Sequence, residues 1–205
     1  MVIRKSFKFE GAHIVRNCSS IRCKQSVHGH SYLVEVFFTA NGLDNGQMIL
    51  DFGLMKGTIK DIIDSFDHAY SMWNKESDEF KNFFKTNSSR WIEMPVSPSA
   101  EAYSLMLLYI IDKIVKATKF NNGERAVEVQ SVRVHETTTG YAESFREDLD
   151  WFKNFTLEDI IFSEGVTSEW QDPDMYNKLI NWWKLGPEGL LKDKLFINET
   201  PTQQI

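Results

Sequence analysis

The chain has 205 residues, enough for one sizeable core or for one core with an appended subdomain. Hydrophobic residues make up 42% and charged residues 25%, as in ordinary globular proteins, and no run approaches the roughly 20 apolar residues of a membrane span. A formal net charge of −6 argues against a general nucleic-acid binder, and residues 1–10 lack the apolar block of a signal peptide, so neither nucleic acid nor membrane is an expected partner and the cytoplasm is the expected compartment.

Residues 1–10 alternate, with Ile3, Lys5, Phe7 and Phe9 on one face, which predicts a half-buried strand. The polar stretch 16–27, rich in Ser, Asn and Cys, reads as a loop on which a site can be built. In residues 31–39, Tyr32, Val34, Val36 and Phe38 share a face, predicting a second strand able to lie antiparallel beside the first. A turn at 41–46 and a short apolar run at 48–50 lead to a helix in which Met55, Ile59, Ile62, Ile63 and Phe66 recur at steps of three and four. Ser97-Pro98 predicts an N-cap followed by proline at the first helical position. Behind it, Ala102, Leu105, Met106, Tyr109, Ile110 and Ile114 form one stripe that ends before Asn121-Asn122-Gly123. Residues 126–135 and about 140–147 read as a third and a fourth strand.

That order predicts an α+β fold, a four-stranded antiparallel sheet with two helices on one face. From Trp151 onward the chain is acidic and holds four of the six tryptophans, and Asp172-Pro173 opens a helix whose Met175, Leu179, Trp182 and Trp183 share a face. Side chains so large and apolar do not stay solvated. Residues 148–205 are therefore predicted as a mainly helical extension docked on a domain formed by residues 1–147. Charge is split between the ends: residues 1–30 carry six basic side chains against one acid, and residues 146–205 carry six against twelve. The basic segment is either a solvated face or an attraction for an anionic substrate.

Three of the five histidines fall in the first 30 residues. His28 and His30 sit at i and i+2 at the start of a strand, so both imidazoles face one side. His13, after the first strand, can join them if the strands pair, and three neutral imidazoles leave one position of a tetrahedral zinc open. A lone His-x-His pair is otherwise a surface or core pair. Cys23 precedes His28 on the loop, where it is a thiol activated by a nearby cation, a buried small hydrophobe or a fourth metal ligand. Cys18 and Cys23 are too close in sequence for a disulfide to be expected in a reducing compartment. Asp67-His68 is either a proton-relay unit or a helix C-terminal histidine. Glu136 is either a strand-end residue or a partner for a guanidine-like heterocycle edge.

Six ordered segments carry a family resemblance: Phe9-Glu10-Gly11-Ala12-His13; Cys23 to His28-Gly29-His30; Gly46 through Leu50-Asp51-Phe52 to Lys56; Asp67-His68; Ser97-Pro98-Ser99-Ala100-Glu101; and His135-Glu136-Thr137-Thr138-Thr139-Gly140. Over residues 3–147 the chain resembles the 6-pyruvoyl-tetrahydropterin synthase family, and its 52–56 and 136–140 segments are most similar to the bacterial 6-carboxytetrahydropterin branch. The resemblance implies the tunnelling fold, whose subunits join sheets into a barrel, and a homo-oligomer, commonly a hexamer. It implies zinc on His13, His28 and His30, Cys23 as general base, and Asp67 with His68 as a relay supplied by a neighbouring subunit. Glu136 would anchor the pterin ring and join the relay, and Glu101 matches a family glutamate expected at the substrate.

The implied substrate is 7,8-dihydroneopterin triphosphate, converted to 6-carboxytetrahydropterin, acetaldehyde and triphosphate in queuosine-type biosynthesis. Elimination of triphosphate to a pyruvoyl product is the alternative, and a non-catalytic zinc protein using the tail as a binding surface is an alternative of another class. Four residues separate Cys23 from His28, a gap that varies in the family, so Cys18 is a second candidate. Ser97-Pro98-Ser99-Ala100 softens the usual Asn-Pro-Thr-Ser, and the family pattern offers no counterpart for residues beyond about 148.

Overall fold

The computed structural model describes residues 1–186 and 193–198. Strand β1 (Val2–His13) runs three residues further than alternation predicts and ends on His13 itself. A five-residue helix, α1 (Ile21–Gln25), interrupts the expected loop before β2 (His28–Thr39), which pairs antiparallel with β1. The register sets Phe9 against Tyr32, Gly11 against His30 and His13 against His28. The alternating faces behave as expected: Phe9, Tyr32, Val34, Val36 and Phe38 are all buried.

The single helix expected through Met55 and Phe66 is broken at Gly57 into α2 (Gly53–Lys56) and α3 (Thr58–Asp64). Then come β3 (Ala69–Trp73), α4 (Asp78–Asn87) and β4 (Trp91–Met94). Helix α5 (Ala100–Lys116) is capped by Ser99, whose Oγ accepts the Ala102 N–H at 3.2 Å, two residues later than the Ser97-Pro98 expectation. The displacement has a cause: Ser97 Oγ donates instead to the Arg16 carbonyl, and the Pro98 carbonyl is taken by His13. The helix gives way to β5 (Thr118–Phe120), and β6 (Glu128–His135) and β7 (Tyr141–Phe145) complete the expected strands.

The α+β class holds, and the four antiparallel strands are present in the order β7-β6-β2-β1. The sheet is nevertheless seven-stranded and mixed, because β3 and β4 add in parallel beyond β1. These strands escape an alternation test because both faces are covered: Ala69 lies in the helical core, while Tyr70 and Met72 lie under Phe80 and Phe84 of α4. A strand buried on both sides reads as a continuous run. Helix α4 thus packs on the face opposite α5, where the expectation had two helices on one face only. Its Tyr70–Phe84 rings stack at 3.8 Å, and Lys81 and Lys85 reach the buried Glu93 of β4.

Beyond β7 the chain makes two 3₁₀ turns (Arg146–Phe152 and Leu157–Asp159), β8 (Ile161–Phe162), α6 (Glu164–Thr167), α7 (Met175–Lys184) and β9 (Phe196–Asn198). This segment is less helical than expected, since β8 joins the main sheet antiparallel to β4 and β9 pairs with β5. Phe152, Leu157, Trp170, Met175, Leu179 and Trp182 belong to the same buried cluster as the apolar face of α5. No helix among the described residues is long and apolar enough to cross a membrane.

Candidate metal centre and active site

The β1–β2 register brings His13, His28 and His30 together, with ring centroids 4.5–5.4 Å apart and one ligand atom from each within 4.8 Å of the others. Gly29 makes this possible. A Cβ there would stand 2.8 Å from the Gly11 carbonyl oxygen, so only glycine lets the strands close at that level. His13 donates from Nδ1 to the Pro98 carbonyl at 2.6 Å, and His28 donates from Nδ1 to the Ser26 carbonyl at 2.9 Å, so each keeps Nε2 as its lone-pair nitrogen. His30 Nε2 is buried with no hydrogen-bond partner. Burial above all holds the His13 pKa down to about 4; the Pro98 carbonyl pulls it up, and the neighbouring His28 and His30 push it down further. His13 is therefore neutral at pH 7, the form that ligates. Three converging imidazoles, two of them oriented through Nδ1 and one with an orphaned nitrogen, fit a zinc ion.

The Glu136 carboxylate faces the trio, its Oε1 3.7 Å from both His13 Nε2 and His30 Nε2. It lines a pocket of about 450 Å³ together with His28, His30, Cys23, Cys18 and Glu101. Both cysteines are free, and Cys18 Sγ donates to the Ser20 carbonyl. Glu101 sits in the first turn of α5, at the pocket wall.

Helix α1, which carries Cys23, is fastened from the side by Arg16. Its Nη1 donates to the Lys24 carbonyl at 2.9 Å, its Nε to Glu76 at 2.6 Å, and the Val15 N–H meets the Cys23 carbonyl at 3.0 Å. Partners 60 positions apart leave no mark in a sequence, and this clamp was not foreseen. The role of Pro98 has no sequence signal of its own, because any residue just before an N-cap keeps its carbonyl outside the helix.

Asp67 and His68 are not brought into this pocket. They lie beyond α3, where the His68 side chain opens onto an adjacent cleft of about 600 Å³ shared with Glu10, Ser31, Tyr70 and Asn87; His30 borders both spaces. Asp67 Oδ2 accepts the His68 Nδ1–H at 2.9 Å and Oδ1 accepts the Glu10 N–H at 2.7 Å. Burial would raise the Asp67 pKa, but these bonds, with charge from His68 and Arg90, outweigh it and leave the carboxyl below its ordinary range.

Residues 2–147 match the family model described as 6-pyruvoyl tetrahydropterin synthase. A Helicobacter pylori protein named 6-carboxy-5,6,7,8-tetrahydropterin synthase is 48% identical over 184 residues, covering 88% of this chain and 92% of its own length. That coverage runs past residue 147, so part of the extension has a counterpart there. An uncharacterized protein of Wolinella succinogenes superposes with a TM-score of 0.59 at 19% identity, and a 6-pyruvoyl tetrahydropterin synthase of Plasmodium vivax with 0.51 at 17%. Each covers 71% of this chain and 98% of its own, and at those identities they speak to the fold.

Proposed function

The chain belongs to the 6-pyruvoyl tetrahydropterin synthase family, and on that premise we propose that it is a 6-carboxy-5,6,7,8-tetrahydropterin synthase. With one water consumed, it converts 7,8-dihydroneopterin triphosphate to 6-carboxytetrahydropterin, acetaldehyde and triphosphate for 7-deazaguanine biosynthesis, as a zinc lyase of the cytoplasm. The observation that carries the chemistry is the imidazole trio, with the orphaned His30 Nε2, of which His28 and His30 line a pocket shared with Cys23 and Glu136. The choice of product follows the 48%-identical relative.

Zinc held by His13, His28 and His30 would supply a Lewis acid for the hydroxyl-bearing side chain of the substrate. The chain's own residues do the rest. Glu136 takes the amide–amidine edge of the pterin ring through two hydrogen bonds, which fixes the ring above the trio. Cys23 removes a proton beside the ring, and Arg16 keeps its helix in place. His68, with Nδ1–H held by Asp67, presents Nε2 as the group that returns a proton. Because His68 lines the adjacent cleft and not the pocket that holds Cys23 and Glu136, it serves the pocket of a second copy in a homo-oligomer. Glu101 borders the substrate, and the basic first 30 residues suit the triphosphate. Residues 1–147 form the catalytic unit and the chain from 148 onward an extension whose described residues pack on it, residues 187–192 and 199–205 lying outside them.

The test is turnover of dihydroneopterin triphosphate with full product identification. Acetaldehyde with the 6-carboxy product is the expected result; a pyruvoyl product without acetaldehyde would reject it. Cys23→Ala is expected to abolish turnover while zinc stays bound. Persistent turnover in that variant, or zinc binding with no turnover in the parent protein, would sink the mechanism.

A further inference from the structure

Residues 163–171 of the extension close on the end of α3 and on the connection between α4 and β4. Trp170 Nε1 donates to Ser65 Oγ at 2.9 Å, and the Gln171 N–H donates to Asp61 Oδ2 at 3.0 Å. Gly165 lies so near the Ser89 carbonyl that a Cβ would stand 2.2 Å from its oxygen, and Ser163 Oγ donates to that same carbonyl at 2.8 Å. Between these contacts lies Arg90, its side chain 15% exposed. It donates to the Asp67 carbonyl (Nε, 2.8 Å), the Asp64 carbonyl (Nη2, 2.9 Å), and, from Nη1, to Glu169 (2.6 Å) and the Gly165 carbonyl (3.4 Å). One guanidinium thus ties the extension to the turn that ends on Asp67 and His68.

That turn needs holding. His68 has φ +52°, a left-handed conformation that non-glycine residues adopt only when their surroundings insist. Its own bonds, N–H to the Glu10 carbonyl at 2.7 Å and Nδ1–H to Asp67 Oδ2, fix the ring relative to β1, but Asp67 must itself be fixed. The planar fork of Arg90 does so through the backbone carbonyl rather than the carboxylate, which leaves both carboxylate oxygens for Glu10 and His68.

We propose that the C-terminal extension is a positioning device for the Asp67–His68 pair, acting through Arg90 from Glu169 and Gly165. The proposal rests on the reading of His68 as the proton-returning group. Arg90 and Glu169 are positioning residues that touch no substrate. Arg90→Ala is expected to lower kcat at least tenfold, since displacement of a catalytic group by about 1 Å costs up to roughly a hundredfold. KM, zinc content and the alkylation rate of Cys23 stay as in the parent. Glu169→Ala, at a side chain 66% exposed and so safe for folding, is expected to lower kcat two- to fivefold, with Glu169→Gln between it and the parent.

The deciding readout is the same pair of changes made in a His68→Ala background, where neither lowers the residual rate further. Losses of equal size with and without His68, or folded Arg90→Ala and Glu169→Ala proteins at full kcat, overturn the proposal while His68→Ala remains inactive. Should Arg90→Ala not fold, the Glu169 pair decides alone. Full turnover in His68→Ala overturns the reading of His68, and the proposal with it.

Discussion

At the scale of single residues, the centre depends on a missing side chain as much as on three present ones. Gly29→Ala places a methyl 2.8 Å from the Gly11 carbonyl, and β1 and β2 must part where His13 faces His28. Zinc affinity is expected to fall at least tenfold, read by competition with a chromophoric chelator, and the melting temperature to fall with it. Titration of His13 gives a second test. Its folded pKa of about 4 lies below the ordinary 6.5, so the unfolded chain takes up the proton first. Stability of the metal-free protein is full above about pH 6.5 and declines as pH falls towards 4, which urea midpoints across that window check. A flat profile would mean that His13 is not buried neutral. The sequence made the trio legible because strand period and pairing are local rules. It could not reveal the carbonyls of Pro98 and Ser26 that orient the rings, since those partners depend on loop geometry.

At the scale of elements, two short pieces do the positioning. The Ser97–Ser99 turn both caps α5 and offers His13 its carbonyl, so the cap and the centre are mechanically joined. Ser99→Ala is expected to cost about 1 kcal/mol of stability, measured by denaturant unfolding. Helix α1 has only five residues and no side-chain cap, too short to hold itself in water. Arg16→Ala is therefore expected to release it, with faster alkylation of Cys23 and a lower kcat, while zinc content is unchanged. The long elements β1, β2 and α5 were readable, β1 from its one solvated face and β2 and α5 from the length and period of their apolar positions. Strands β3 and β4 and helix α4 were not: the strands are covered on both faces, and α4 belongs to a segment read without an element of its own.

At the scale of the whole molecule, the extension is part of the core. Trp170, 6% exposed, bonds Ser65 and packs on Phe162 and Tyr176. Trp170→Ala is expected to cost about 3–5 kcal/mol, as large core truncations do. A chain cut after residue 147 would leave that side of α5 bare and is expected to bind a hydrophobic dye and to aggregate, which light scattering would detect. The tryptophan-rich composition was enough to show that these residues pack on something. Their target, the turn below α3, was not readable, because Arg90 gives no hint of its four acceptors.

The β8 strand has a consequence for assembly. By pairing with β4 it moves one margin of the sheet to a strand of only two residues, whereas the outer backbone of β7 and that of Val2–Phe9 in β1 offer longer stretches that meet no other strand among the described residues. A second copy that added its sheet to this one would find its longest free backbone at β7 and at the first strand. A joint of β7 on the first strand would have a polarity, and such contacts close into a ring where the rotation between copies closes and run on as a filament where it does not.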